Sequence, residues 1–418
     1  MKSIYVYEHG TAEDPLQIGT LFADVVRGSE TFSFEFRESW LKRPGLKFEL
    51  DPGLPPYRGR LFPAGKPQFG VFGDATPDQW GRTLMDRRER LYADREGRKP
   101  RRLTESDYLL GVFDGLRMGA LRFKDETDGP FLSDDAELSA PPWTTLRTLE
   151  EASRNLEDDR LFQNDIWLVQ LFRPGSSLGG ARPKASVLSP DGDLWIAKFP
   201  SRKDNYDVGA WEMVVHRLAK RCGLRVSEAR LESFSGYGST FLTKRFDREK
   251  ERRIHFVSAM SALGKTDGDT ERAGYLDIAS YIRANGAEPA TDLVELWKRI
   301  VFSMAVTNSD DHLRNHGFIL TRKGWCLSPL YDVNPVPYGD SLSLDVDGVS
   351  SEISIDLAIE SARYFGIARQ DALQTAAYIL GTVQGSWERI ASECGIGRNG
   401  IVFMRPAFRI CADWKSII

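Results

Sequence analysis

From Leu293 the chain places Leu296, Trp297, Ile300, Val301, Met304 and Ala305 at helical spacing, then runs straight into Asn308-Ser309-Asp310-Asp311-His312-Leu313-Arg314-Asn315. Apolar residues at i, i+3, i+4 and i+7 demand a packed partner along one side of a helix. A buried helix that ends in carboxylates and amides holds those groups at a fixed place, and this constrains the chain more than any other feature. Similar local logic recurs upstream. Ser189-Pro190-Asp191-Gly192-Asp193 separates two short apolar runs, which predicts a β-hairpin entered through a glycine-bearing stretch that begins at Ser176. Trp211, Val214, Val215, Leu218, Ala219 and Cys222 repeat at helical spacing and Gly223 follows as a stop, so a one-faced helix is expected. Thr240 to Thr243 reads as a strand, and residues 356–394 as helices interrupted near Gly366 and Gly385.

With 418 residues and 41% apolar side chains, several sub-cores of ordinary size are expected rather than one. Ser3 to Tyr7 and Thr31 to Phe36 alternate apolar and polar residues, which suits strands. Gly81 to Arg102 mixes arginines with acids and reads as a solvated helix followed by a basic loop. Lys124 to Pro142 has linker composition and marks a first boundary. The balance of 56 basic against 60 acidic residues, net charge -4, supplies no global pull toward nucleic acid, so any DNA contact must be local. The start, Met1 to Gly10, lacks an apolar leader, and no run of about 18 apolar residues occurs, so a cytoplasmic chain without membrane contact is expected. Cys222, Cys326, Cys394 and Cys411 form no C-x-x-C pair and are expected to be reduced and mostly buried.

Phosphoryl transfer requires positioned metal ions, a cation on the nucleotide phosphates and a carboxylate that orients the acceptor. Asp310 and Asn315 match the D-x-x-x-x-N spacing of a kinase catalytic loop, in which the Asp takes the hydroxyl proton and the Asn oxygen holds magnesium. Asp332, after Leu327 to Tyr331, is the candidate second magnesium ligand; its plainer reading is a turn former. Lys198 shares a strand face with Leu194 and Ile196, where a cation is costly unless it meets an anion such as a phosphate, or unless the strand is an edge and the ammonium reaches solvent. Glu212, on the following helix, is the candidate partner of Lys198, against the plainer reading of a solvated glutamate. Gly179 and Gly180 allow backbone amides to approach phosphate, and Lys184 is a candidate further contact.

Taken in order, Ser176 to Ala185 (S-S-L-G-G-A-R-P-K-A), Trp195 to Pro200 (W-I-A-K-F-P), Leu242 to Arg248 (L-T-K-R-F-D-R), Asn308 to His316 (N-S-D-D-H-L-R-N-H) and Leu330 to Val333 (L-Y-D-V) closely resemble the HipA family of bacterial kinase toxins. Phe69 to Arg82 (F-G-V-F-G-D-A-T-P-D-Q-W-G-R) is similar to that family's leading subdomain, so the likeness covers nearly the whole chain. The resemblance implies an α+β, bilobal, protein-kinase-like fold: a β-rich subdomain over 1–130, a kinase N-lobe over 131–246 and a largely helical C-lobe over 247–418. By motif position it implies ATP at Gly179, Gly180, Ala181, Lys184, Lys198, His312 and Asn315, with Lys244 to Phe246 as the adenine hinge. Asp310 would be the catalytic base, and Asn315 and Asp332 would hold Mg2+. Ser177 matches the serine that such kinases phosphorylate on themselves, an event resembling a self-inactivating switch. The expected partners are a helix-turn-helix, HipB-like antitoxin and, through it, operator DNA. The expected substrate is a translation component such as an aminoacyl-tRNA synthetase. Arg182, Pro183 and Lys244 depart from the best-known pattern, and Asp311 adds a carboxylate beside the base.

Three other readings use the same residues. A HipA-like scaffold without turnover would act as a DNA-bound co-repressor. A small-molecule phosphotransferase would direct the same centre at another acceptor. A metal phosphohydrolase would be built on Asp310, Asp311, His312 and His316, and it would leave Lys198 and the glycine stretch unexplained.

Overall fold

The alternating N-terminal runs form strands Lys2–Glu8, Leu16–Val26 and Ser29–Phe36 in the computed structural model, which describes residues 1–44, 48–133, 140–157, 171, 180–269 and 273–414. The chain divides into two compact units, Met1–Arg202 with Lys244–Asp267, and Lys203–Thr243 with Gly268–Ile418. In the first unit a five-stranded antiparallel sheet is ordered Arg60–Leu61, Ser29–Phe36, Leu16–Val26, Lys2–Glu8, Leu121–Lys124. Period-two alternation sends Ile4, Val6, Leu21, Ala23, Phe32 and Phe34 into one core with Phe69 and with Val71 and Phe72 of the short helix Gly70–Asp74 that follows it. The charged stretch does form a helix, Gln79–Arg95. The arginines beyond it do not stand as an unpaired basic loop: Arg98 pairs with Glu89 and Glu96, and Arg101 with Asp107.

The first unit also contains a buried ionic network that the sequence reading did not single out. Asp247, fully buried, receives Arg245 through Nε at 2.8 Å and Nη2 at 2.7 Å, Arg248 Nη1 at 2.7 Å and the Gly119 amide at 2.8 Å. Burial pushes its carboxyl up, but Arg245 and Arg248 outweigh that and hold it down at about 2. The same arginines donate onward to the main chain: Arg245 to Leu116 O and Arg248 to Arg117 O, both at 2.6 Å. Arg253 and Arg122 converge on Asp114. Thus R-F-D-R, together with Arg253, staples the segment Asp114–Gly119.

The Pro-Asp-Gly turn behaves as read: Lys184–Leu188 and Leu194–Lys198 pair antiparallel, closed by Ser189 N to Asp193 O. In the second unit Asp207 caps the helix Val208–Arg221 through Ala210 N at 3.0 Å and takes the Ser239 amide and hydroxyl. A Cβ at Gly209 would stand 2.1 Å from Ser239 O, so only glycine permits this approach of helix to strand Gly238–Lys244. Helix Pro289–Ala305 buries Leu296, Trp297, Ile300, Val301 and Met304 as its spacing predicts. Of the two interruptions expected downstream, Gly366 does break the helix in left-handed geometry at φ 74°, but Arg369–Glu393 runs unbroken through Gly385. There, Leu380, Val383, Trp387 and Ile390 keep one face packed. That burial outweighs the ~1 kcal/mol that a helical glycine costs. Cys222, Cys394 and Cys411 are buried thiols, and burial pushes Cys222 up to about 12. Among the described residues no helix is long and apolar enough to cross a membrane.

Candidate active site

Helix Pro289–Ala305 ends at Val306, and Thr307 turns the chain through φ 51°, a left-handed conformation that a β-branched residue rarely adopts. Beyond it Asp310 is exposed, whereas Asp311, His316 and Asn315 are buried. Asp311 turns inward: His316 Nε2 lies 2.9 Å from its Oδ1, Ser303 Oγ donates at 3.2 Å, and the Tyr275 hydroxyl donates to it as well. Burial pushes the Asp311 carboxyl up, but His316 and the two hydroxyls outweigh burial and hold it below the usual carboxylate range. The carboxylate expected beside the base is therefore a buried anchor. It closes the loop from 311 to 316 on one side, while Asp310 and Asn315, each one residue earlier, serve the other. Within the loop Asn315 Nδ2 donates to Asp310 O at 2.9 Å, His312 N to Asp310 O at 3.0 Å, and Asn315 N to His312 O at 2.8 Å.

The segment carrying Asp332 follows the hairpin Gly317–Thr321 and Gly324–Leu327, and Leu330 N bonds Arg225 O at 2.7 Å. Asp332 itself is left-handed at φ 57°. Its neighbours bond to both ends of the Asp310 loop: Tyr331 Oη donates to Arg314 O at 2.6 Å, and Asn334 N to Asn308 Oδ1 at 3.2 Å. Val336 N to Thr307 O at 3.1 Å and Ser343 Oγ to Ser309 O at 2.7 Å extend the seam. Asp310, Asn315 and Asp332 are thus brought into one neighbourhood of the second unit. Backbone strain at two points of such a seam persists only where surrounding bonds over-determine it.

Asn315 gives an internal test of whether this place suits a hard cation. Its side chain is 3% exposed, its Nδ2 is committed to Asp310 O, and its Oδ1 meets no hydrogen-bond donor among the described residues. A buried amide oxygen left as a bare acceptor, next to a segment bearing the half-buried Asp332, fits magnesium, which takes oxygen ligands and keeps phosphate and water in its remaining positions. His312 Nδ1 is likewise buried without a partner among the described residues.

The other predicted residues lie mostly in the first unit. Lys198, 8% exposed, ends its strand directly across from Lys184. Like charges opposite one another destabilise a hairpin unless neutralised, and Lys184 is neutralised: Asp78 Oδ2 lies 2.7 Å from its Nζ. Asp78 also caps helix Gln79–Arg95 through Gly81 N, and Trp80 Nε1 donates to Lys184 O at 3.0 Å. These contacts give the P-D-Q-W-G motif a structural task. Lys244 pairs with Asp193, and the Phe246 ring lies 5.8 Å from that of Phe256. Gly180, at φ 87°, and Ala181 are exposed, whereas Ser177 and Gly179 fall outside the described residues. Glu212 is buried on Val208–Arg221 in the second unit. Asn308, Asn334, Tyr331, Tyr275 and the Asp311–His316 pairing were missed as site residues, although four of these six residues stand inside the quoted motifs. Nothing in their spacing announced which would face inward.

Residues 176–387, just over half of the chain, match the HipA-like C-terminal domain family. A putative kinase, Y4mE, of Sinorhizobium fredii is 28% identical over 248 residues, 53% of this chain and only about half, 51%, of that protein. The serine/threonine-protein kinase toxin HipA of Shewanella oneidensis is 23% identical over 350 residues, 76% of this chain and 72% of its own length. HipA in the solved complex of HipA, HipB and operator DNA from that organism superposes with TM-score 0.65 at 18% identity, over 97% of this chain and 96% of the other. The fold is accordingly the α+β, kinase-like fold seen there, and this chain belongs to the HipA-like family.

Proposed function

We propose that the protein is an ATP- and magnesium-dependent serine/threonine protein kinase. The observation that supports this most is the seam joining Asp332 to both ends of the Asp310–Asn315 loop, beside the bare acceptor oxygen of Asn315. In this reading Asp310, exposed to an incoming acceptor, orients its hydroxyl. The hydroxyl oxygen bonds the γ-phosphorus while the bond from that phosphorus to the β,γ-bridging oxygen breaks. ADP leaves with the electron pair, and the hydroxyl proton passes to Asp310. Asn315 Oδ1 and Asp332 would hold magnesium, which when bound neutralises charge on the phosphates. Lys198, with Glu212 as its partner, would meet the nucleotide phosphates, the strand end at Lys244 to Phe246 the adenine, and Gly179, Gly180, Ala181, Lys184 and His312 its surroundings.

Ser177 is proposed as the site of self-phosphorylation, since about -1.5 to -2 charges there would be incompatible with a loop that cradles ATP. A HipB-like antitoxin, operator DNA and a translation component as substrate are proposed by analogy with the Shewanella complex and its family. The phosphohydrolase reading is weakened, because two of its four ligands, Asp311 and His316, are paired with one another.

Intact-mass spectrometry of the purified protein with ATP and magnesium tests the reading. One added phosphate, mapped to Ser177 and missing from Asp332→Ala, is the expected result. No phosphate, together with no magnesium-dependent nucleotide binding by folded, unphosphorylated protein, would replace it with the scaffold reading.

A further inference from the structure

The seam beside Asp332 contains an asymmetry. In three of its four bonds the atom supplied by residues 307–314 is a main-chain carbonyl: Thr307 O, Ser309 O and Arg314 O. Any residue could supply those. In the fourth it is a side chain, Asn308 Oδ1, which accepts from Asn334 N at 3.2 Å. Asn308 is 1% exposed, and its Nδ2 has no partner among the described residues. Burying an amide whose donor finds no partner is costly, so stability alone does not explain asparagine here. Asn308 lies two residues before Asp310, and Asn334 two residues after Asp332. The bond between them joins the two carboxylate-bearing segments where both backbones are strained, beside Thr307 at φ 51° and Asp332 at φ 57°.

We propose that Asn308 is a positioning residue: its side-chain oxygen clasps the Asn334 amide and so fixes Asp332 in the orientation in which it shares a magnesium ion with Asn315. This rests on the kinase reading above and adds a requirement to it. Tyr331 holds one side of Asp332 to the Asn315 end of the loop, and Asn308 holds the other side to the Asp310 end. With the clasp removed, Asp332 keeps its charge but gains freedom to leave its left-handed conformation, so magnesium affinity falls while the nucleotide's other contacts persist.

The test measures thermal stabilisation by a non-hydrolysable ATP analogue as magnesium is titrated, alongside kcat and the ATP KM. For Asn308→Ala, the half-saturating magnesium concentration should rise about tenfold, the analogue's effect without magnesium should be unchanged, and kcat should fall more than KM rises. Asn308→Asp retains an acceptor oxygen and lacks the amide donor; it should return the magnesium requirement to within about threefold of the original. Asn308→Ser, too short to reach, carries the same expectation as alanine and serves if the alanine variant does not fold. An unchanged magnesium requirement in Asn308→Ala, or in Asn308→Ser where alanine fails to fold, overturns the clasp. So does an aspartate variant as impaired as alanine, because the operative group would then be the Nδ2 donor. Absence of magnesium-dependent stabilisation in the unmodified protein would instead bring down the kinase reading, and the clasp with it.

Discussion

Asp310→Asn is expected to lower phosphotransfer by about a thousandfold, within the range that a positioned general base contributes, and to leave the unfolding midpoint unchanged. Asp310 is exposed and its carboxylate sits outside the buried pairings beneath the loop, so the amide replaces it without a folding penalty. Single-turnover transfer from labelled ATP and a thermal melt read the two halves separately. A rate within threefold of the original would remove Asp310 from the base's role. Its neighbour should respond in the opposite manner. Asp311→Asn removes the buried carboxylate that Ser303, Tyr275 and His316 share, so roughly 1–3 kcal/mol of stability should disappear. A melt of Asp311→Asn superimposable on the original would contradict the anchor assignment.

The second large effect lies in the buried ionic network of the first unit. Asp247→Ala strands Arg245 and Arg248, both buried, with no carboxylate between them. Removing one partner from such a group costs roughly 3–5 kcal/mol, which for a unit of this size lowers the melting temperature by about 10 °C. The pH dependence has a definite sign. The folded carboxyl sits at about 2, below its ordinary 3.8, so its stabilisation is complete above about pH 4 and disappears as pH falls toward 2. Acid melts of the variant should therefore be flatter than those of the parent over that window. A variant with the parent's midpoint and acid profile would show that the arginines are held by the main-chain carbonyls alone.

What could be read in advance was what local chemistry decides. The Pro-Asp-Gly turn specifies its hairpin within five residues, and the apolar stripe from Leu293 to Ala305 specifies its helix without help from distant partners. Gly385 misled because helix propensity is a small local term, and the face packed by Val383 and Trp387 overrides it. The charged residues were the hardest. Lys184 stands beside glycines as a phosphate ligand would, and the carboxylate that pairs with it, Asp78, comes from 106 residues earlier in the chain, where spacing could not announce it. Asp311 looked like a second acid at the reacting centre, but a one-residue step along an irregular loop reverses the side on which a side chain emerges. Periodicity reports facing in helices and strands and is silent in loops, where most of this site is built.

The first unit is assembled from Met1–Arg202 and the later return of Lys244–Asp267, with Asp247, Arg248 and Arg253 arriving only in that second passage. For a chain emerging from the ribosome, this sets an order of events. The segment Asp114–Gly119 has Arg122 on Asp114 early, but it lacks Asp247, Arg248 and Arg253 until more than a hundred further residues have been synthesised, and by then strands Ala229–Ser235 and Gly238–Lys244 have already been made. The N-terminal part is therefore expected to reach its full stability only after that second passage has been made. A truncation after residue 202 should accumulate as a protease-sensitive species, and a nascent chain should acquire protection only after residue 253 has cleared the exit tunnel.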